Sequence, residues 1–361
     1  MDDWLIDDDR LSLGRKSVLP GEGFFVPDSY EEEQAEAEAA ETVSDAGVVV
    51  IADPDADGLA CTALIRQAHG EGALLPAGPH ELTEALEWTA EYADPGATVF
   101  VCDLCPDRDS DVAPLDDVVA RVERVVWFDH HQWPEDLAAA VDAAGVERTV
   151  GDSDEVCTAD VALAELDHDF DEQWADLAAV TRDHDLWIRD DPRSDDLADF
   201  SYWSEPEEYI EAVREHGPDL SPEVHDFLAE KRVEKEALIE KAVDRAELRE
   251  VADWTVGVTY GRCSQNEVAE ALREQGADAA VIVKPAGSAS IRGTENFERA
   301  HEVAQQVNGG GHPKAAGCKP DIYDDMMDYA HHWTTQGAVA KQAIVDAFRR
   351  LPDEEESDGE Q

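Results

Sequence analysis

The 361-residue sequence predicts an α/β protein of two domains: a parallel-sheet domain with helices on both faces, a helical linker, and a smaller α/β C-terminal domain. Three observations predict it. First, Gly47–Ala52, Thr98–Cys102 and Arg124–Phe128 are short, continuous apolar runs rich in β-branched and aromatic residues, as expected of strands covered on both faces. Second, helical patterns at Gly58–His69 and Leu82–Tyr92 fall between the first two runs, so strands and helices alternate as in βαβ units. Third, each run leads directly into an aspartate: Asp53, Asp103 and Asp129. In open parallel sheets, ligand sites lie beyond the carboxyl ends of the strands.

The remaining elements follow in chain order. Residues 1–45 are acidic, and their Glu/Ala-rich stretch from Tyr30 to Glu41 can form a helix but carries no apolar stripe. They read as a loosely attached N-terminal extension. Residues 46–204 form the first domain, which closes with a helix over Asp171–His184 running into Thr181–Trp187. Residues 205–250 are acidic and mostly helical, and the polar stretch Glu223–Arg249 is expected to join the two domains. The C-terminal domain, 251–350, has strand candidates at Thr255–Tyr260, Ala279–Lys284 and Ser288–Arg292. Its expected helices are Ser264–Gln275, Phe297–Val307 and Gly337–Arg349. Residues 351–361 read as a disordered acidic tail.

Acidic residues outnumber basic ones 86 to 28, a formal net charge of −58. A disordered acidic chain is excluded by the 43% of hydrophobic residues gathered in strand-like runs. Nucleic-acid mimicry is one alternative. Adaptation to molar intracellular salt is favoured, because near 1 M the screening length falls to about 3 Å and self-repulsion becomes tolerable. The bases, 20 Arg and 8 Lys, fit that reading. A nucleic-acid enzyme usually shows a basic face, but counterion release yields little at high salt, so acidity does not exclude such a substrate. No apolar run reaches the length of a membrane span. The acidic start, Met1–Arg10, is unlike a signal peptide. A cytoplasmic protein with no membrane partner is expected. Cys102 and Cys105 form the one C-x-x-C among six cysteines. A zinc ribbon needs a second pair, so packing at a strand end is the reading.

The chemistry is concentrated in five motifs. Asp53-Pro54-Asp55-Ala56-Asp57-Gly58 delivers three carboxylates between a strand and a helix, a set of hard oxygen ligands suited to Mg2+ or Mn2+. A calcium loop begun at Asp53 would need Glu at its twelfth position, which is Leu64. Asp103 is the second motif. Asp129-His130-His131 is the third, mixing imidazole with carboxylate as Mn or Fe sites do. A second pair, His331-His332, reads as surface. Arg182-Asp183-His184-Asp185 is the fourth; either acid can close the site, with Asp183 favoured and Asp185 the alternative. The fifth, Asn308-Gly309-Gly310-Gly311-His312-Pro313-Lys314, gives a backbone that an anion can approach closely. His312 and Lys314 can then contact phosphate, and Arg292 can add a bidentate clamp.

In this order the motifs resemble the DHH phosphoesterase superfamily with its DHH-associated C-terminal (GGGH) domain, over roughly residues 45–350. The D-x-D-x-D form of the first motif is similar to RecJ-type single-strand exonucleases. The nanoRNase and pyrophosphatase branches usually carry a His four residues before the central Asp; here that residue is Ile51. The chain departs from RecJ in leaving no room for an added OB-type domain, and in reading R-D-H-D-L-W where the fourth motif is usually A-D-x-x-P-L. With the charge, the source is expected to be a salt-adapted, haloarchaeal-type organism.

The resemblance implies two divalent ions roughly 3.5–4 Å apart, Mn2+ in the first place with Mg2+ or Co2+ as alternatives. Asp103 would bridge them, Asp53 and Asp55 would serve one, and Asp57, His130 and Asp183 (or Asp185) the other. Asp129 would orient the histidines, and His131 would meet the scissile phosphate or the metal-bound water. Arg292, Gly309, Gly310, Gly311, His312 and Lys314 would hold the substrate. The implied function is a RecJ-like exonuclease on single-stranded DNA or RNA, with replication or repair proteins as further partners. The alternatives are a small-substrate phosphodiesterase or phosphatase (short oligoribonucleotides, cyclic dinucleotides, phosphoadenosine phosphate) and a replication-associated scaffold.

Overall fold

The computed structural model describes residues 28–79, 81–106, 108–323 and 326–352, and the expected acidic tail lies almost wholly outside them. The chain divides into two compact units, one spanning Ser29–Glu230 and one running from Lys231. No helix among the described residues is long and apolar enough to cross a membrane.

In the first unit, β1 (Val48–Ala52), β2 (Ala73–Pro76), β3 (Thr98–Cys102), β4 (Arg124–Asp129) and β5 (Glu147–Val150) form a sheet in the order β2-β1-β3-β4-β5. Every neighbouring pair is parallel. Alternation along the strands supplies both faces. Val50, Ala52, Phe100, Cys102, Val126 and Phe128 pack under α2 (Ala56–His69), α6 (Thr158–Glu165), α7 (Glu172–Asp185), α8 (Pro192–Trp203) and α9 (Pro206–His216). Val49, Ile51, Val99, Val101, Val125 and Trp127 face the opposite core with α1 (Asp28–Val43), α3 (Leu82–Tyr92), α4 (Leu115–Arg121) and α5 (Glu135–Ala144). The fold class is the doubly covered parallel sheet expected. Connections leave β1 toward both edges, so β1 and β3 flank the point where the strand order reverses. A crevice for ligands opens at such a point.

Two stretches sit differently from expectation. The region expected as a loosely attached extension holds α1, whose Ala39 and Val43 are buried in the second core. Two small apolar residues four apart are enough to seat a helix, although they make no visible stripe. Residues 206–216, expected in the linker, form α9, whose Tyr209, Ile210 and Val213 lie in the first core. The connecting element is α10 (Pro222–Asp244).

The second unit is a mixed sheet in the order β10-β11-β9-β8-β7-β6, made of β6 (Glu247–Val251), β7 (Trp254–Tyr260), β8 (Ala279–Val283), β9 (Ala289–Gly293), β10 (Gly309–Gly311) and β11 (Ala315–Cys318). Only β7 and β8 pair in parallel. Helices α11 (Gln265–Glu274), α12 (Ala300–Gln305), α13 (Met326–Thr334) and α14 (Ala338–Arg349) accompany it. His332, expected at the surface, is buried: its Nδ1 faces the Tyr323 hydroxyl at 2.9 Å and its Nε2 the Lys284 carbonyl at 2.8 Å.

Candidate metal centre

The loop from β1 to α2 is shaped by its own backbone. Asp55 caps α2, its Oδ1 accepting from the Asp57 and Gly58 amides at 2.9 and 3.1 Å. Gly58 is required there, since a Cβ would stand 2.2 Å from the Asp53 carbonyl oxygen. The Tyr209 hydroxyl, buried in α9, donates to the Ala56 carbonyl at 3.3 Å and holds the loop from below. Asp57 is turned inward, and its two oxygens accept from the Thr158 and Ala159 amides at 2.7 and 2.8 Å. Burial in the first place, and then the neighbouring Asp55 charge, push its carboxyl up to about 7.

Asp103, directly after β3, has φ 59°, a left-handed backbone that few non-glycine residues adopt. Such strain persists where surrounding structure holds it, and it gathers at functional sites. The Asp103 amide donates to the Phe128 carbonyl at 3.0 Å. Its Oδ1 accepts from the Thr158 hydroxyl at 2.8 Å and stands 3.7 Å from His130 Nε2 and 3.8 Å from His131 Nδ1.

Asp129 ends β4 fully buried. Its Oδ1 accepts from the His130 and His131 amides and faces His131 Nδ1 at 2.7 Å, while its Oδ2 accepts from Trp133 Nε1 at 2.7 Å. Burial opposes ionisation, yet these bonds hold the Asp129 carboxyl below its ordinary value. His131 responds in the other direction: burial disfavours its charge, but Asp129, Asp185 and Asp57 raise it to about 9.

At the end of α7 the two candidate acids separate. Asp183, the favoured ligand, is committed elsewhere: its oxygens accept from the Asp190 and Asp191 amides at 3.0 and 3.1 Å. Its carbonyl also accepts from the Ile188 and Arg189 amides, so Asp183 organises the reversal that follows. Asp185, the alternative, is the one brought to the histidines, with Oδ2 3.3 Å from His130 Nε2 and its side chain 22% exposed. That oxygen is buried and makes no hydrogen bond among the described residues.

Side-chain donors from distant positions thus converge. Ligand atoms of Asp57, His130 and Asp185 lie within 4.8 Å of one another, as do those of Asp103, His130 and His131. Burial, reinforced by the neighbouring carboxylates, raises Asp53, Asp103 and Asp185 well above the ordinary carboxylate value. Carboxylates crowded with imidazole, one buried oxygen among them lacking a hydrogen bond, fit a hard or borderline divalent cation, which would neutralise their repulsion. Of the expected site residues, the ligands Asp57, Asp103 and His130 and the catalytic candidate His131 are brought together, and with them the alternative acid Asp185 rather than Asp183. The Asp53 carboxyl feels the charges of His131 and Asp57, and Asp55 is tied to the helix start and exposed. Thr158, Trp133 and Tyr209 were not expected; nothing in an isolated Thr, Trp or Tyr marks a partner up to 153 residues away.

The second unit holds the other expected residues. The glycine run forms strand β10, antiparallel to β11. Gly309 and Gly311 are needed for that pairing, because Cβ atoms would stand 2.1 and 2.6 Å from the carbonyl oxygens of Gly317 and Ala315. His312 and Lys314 lie in the hairpin connection, and Lys314 pairs with Glu298 at 3.1 Å. Arg292 on β9 stands opposite Ala315 and donates to neutral acceptors: Asn266 Oδ1 and the Ile291 and Ala316 carbonyls. Lys284 follows β8; burial, then the Arg292 charge, lowers its ammonium to about 8.

No family model and no curated protein sequence matches this chain. Solved structures do. The chain is similar to exonuclease RecJ bound to manganese, at 18% identity and TM-score 0.55, covering 89% of this chain and 95% of that one. RecJ from Thermus thermophilus in complex with Mn2+ gives 18% identity and TM-score 0.55, with 89% of this chain and 55% of that one covered. Taken with the strand order and the two-unit organisation, these likenesses show that the chain has the RecJ-like α/β fold.

Proposed function

We propose that this protein is a metal-dependent phosphoesterase of the DHH type, acting as a RecJ-like exonuclease on single-stranded nucleic acid. The observation that carries the reading is the convergence of Asp57, Asp103, His130, His131 and Asp185 at the carboxyl edge of the parallel sheet.

Two divalent cations, Mn2+ in the first place with Mg2+ or Co2+ as alternatives, would be held by Asp53, Asp55, Asp57, Asp103, His130 and Asp185, and would supply Lewis acidity and an activated water. The chain's own groups do the rest. Asp129, with both oxygens occupied by protein donors, fixes the direction of the two histidines. His131 keeps a proton on Nδ1 toward Asp129, which directs Nε2 to a phosphoryl oxygen. Against the cost of burial, the surrounding carboxylates, Asp129 first, raise its pKa to about 9 in the metal-free site. In the second unit, Arg292, His312, Lys314 and the backbone of Gly309, Gly310 and Gly311 would bind phosphate groups of the nucleic acid. Arg292 and Lys284 support this assignment: in a chain of net charge −58, Arg292 meets only neutral acceptors in the bonds described above, and the dominant charge beside Lys284 is that same arginine.

The test is hydrolysis in molar KCl with Mn2+, offering end-labelled single-stranded DNA, single-stranded RNA, dinucleotides and phosphoadenosine phosphate in parallel. Mononucleotides released from long strands are expected, and both Asp103→Ala and His130→Ala should abolish the release while circular dichroism is unchanged. Cleavage of dinucleotides or phosphoadenosine phosphate alone would replace the exonuclease with the small-substrate reading. Hydrolysis of none of them, with binding of replication proteins, would replace it with the scaffold.

A further inference from the structure

Thr158 occupies an unusual place. It is the first residue of α6, after Cys157 at the N-cap, yet its hydroxyl does not serve that helix. Instead Oγ1 donates to Asp103 Oδ1 at 2.8 Å, across 55 residues of sequence. Its amide and that of Ala159 donate to the two oxygens of Asp57, across 101 and 102 residues. These are the first two amides of α6, among the donors a helix start leaves without a partner in its own helix, and the metal-loop aspartate accepts from both. One turn of α6 therefore touches two carboxylates that come from two different strand ends. Thr158 is fully buried.

Asp103 needs this support more than its neighbours do. Its left-handed backbone is held by a hydrogen bond from its amide to the Phe128 carbonyl, which does not by itself orient the carboxylate. The Thr158 hydroxyl anchors that carboxylate, donating to the same oxygen that faces His130 and His131. We propose that Thr158 is the positioning residue of the metal centre: through its hydroxyl and amide it fixes Asp103 relative to Asp57, and so sets the spacing at which a divalent cation is held. The assignment rests on the reading of this cluster as a metal centre.

The experiment measures metal binding without turnover. Full-length protein freed of metal is titrated with Mn2+ alone, with free Mn2+ followed by electron paramagnetic resonance, for wild type, Thr158→Val, Thr158→Ser and Thr158→Ala. Loss of an outer hydrogen bond to a metal ligand weakens binding about 10- to 100-fold. That loss is expected for Val, which keeps the shape and the amide but not the hydroxyl. Ser, which keeps the hydroxyl, should stay within about threefold of wild type on the same scale. Should Val fail to fold by circular dichroism, Ala is read in its place and should show the same loss. Wild-type affinity in folded Val or Ala would overturn the assignment, even with lowered thermal stability, since that would mark a merely structural role. Failure of Ser to restore affinity would overturn it too. Absence of saturable Mn2+ binding in the wild type would instead bring down the metal centre itself, and with it the role of Thr158.

Discussion

Replacing Asp185 by Asn should stabilise the metal-free protein while weakening its hold on metal. Asp185 Oδ2 is buried and makes no hydrogen bond among the described residues, and a carboxylate oxygen of Asp185 lies within 4.8 Å of one of Asp57. Two unit charges at that separation repel by about 3.5 kcal/mol at an effective dielectric of 20. Asn keeps the shape and removes one charge. Part of the repulsion is already relieved by proton uptake, so at pH 8 in chelator the variant should gain about 1–3 kcal/mol over wild type. With Mn2+ at 100 times its dissociation constant, the wild type should gain about 2.7 kcal/mol, and the variant little of it. Asp183→Asn is the matched control. Asp183 accepts from two amides, and an Asn amide group would turn its own N–H toward one of them, costing about 1–3 kcal/mol with or without metal. The assay is urea denaturation of the three proteins at fixed molar KCl, with chelator and with Mn2+. Should Asp183→Asn lose the Mn2+-dependent gain while Asp185→Asn keeps it, the geometry argued for the end of α7 is wrong.

Three further outcomes are expected. In chelator, thermal stability should fall as pH rises from 5 to 8. Asp57, raised to about 7, and His131, raised to about 9, each bind more protons folded than unfolded, so their contribution is present at low pH and lost as pH climbs through those values; a melting temperature that rises instead would refute this. Arg292→Ala should raise KM about 10-fold or more with little change in kcat, the mark of lost ground-state binding, and wild-type KM should rise above about pH 8 as Lys284 loses its proton; an unchanged KM for every substrate sinks the clamp. Taking KCl from 0.1 M to 1 M shortens the screening length from about 10 to about 3 Å, so the melting temperature of this chain of net charge −58 should rise steeply; a flat salt dependence would remove the argument for salt adaptation.

Much of the fold was legible because burial on both faces leaves a strong trace. The β1, β3 and β4 runs are apolar at nearly every position, and no competing structure accounts for them. The edge strand β5, Glu-Arg-Thr-Val, is only half-buried and carries no such trace, so it is invisible to the same reasoning. Strand β10 fails for a different reason. A glycine triplet has no side-chain pattern to read, and its pairing is dictated by β11, whose small residues let the two backbones approach. The seating of α1 and α9 was hidden by acid-rich faces. Their few buried residues, Ala39 and Val43 in one and Tyr209, Ile210 and Val213 in the other, decide the packing, while the charged remainder dominates composition.

The site was legible as a set of residues but not as a set of roles, and the reason is chemical. In the sequence, Asp53, Asp55, Asp57, Asp129, Asp183 and Asp185 are the same group. What distinguishes them is how many backbone amides each has captured. Asp183 has taken two from the reversal after α7, where Trp187 and Arg189 both adopt left-handed conformations. Asp55 has taken two from its own helix start, and Asp129 two from the histidines beside it, along with the His131 and Trp133 rings. Each such bond stabilises the charge locally and lowers the demand for a cation. Among the described residues, Asp185 Oδ2 has none, and Asp103 Oδ1 accepts from the Thr158 hydroxyl. By this reasoning the carboxylates poorest in protein donors should contribute most to metal affinity: Asp185 and Asp103 ahead of Asp57, which accepts two amides, and Asp57 ahead of Asp129, which also meets two ring nitrogens, while Asp183, with two amides like Asp57 but turned to the reversal after α7, should contribute least. Mn2+ titration of the five Asp→Asn variants tests that order, and a ranking in which Asp129 or Asp183 leads would show that captured amides do not govern which carboxylates serve the metal.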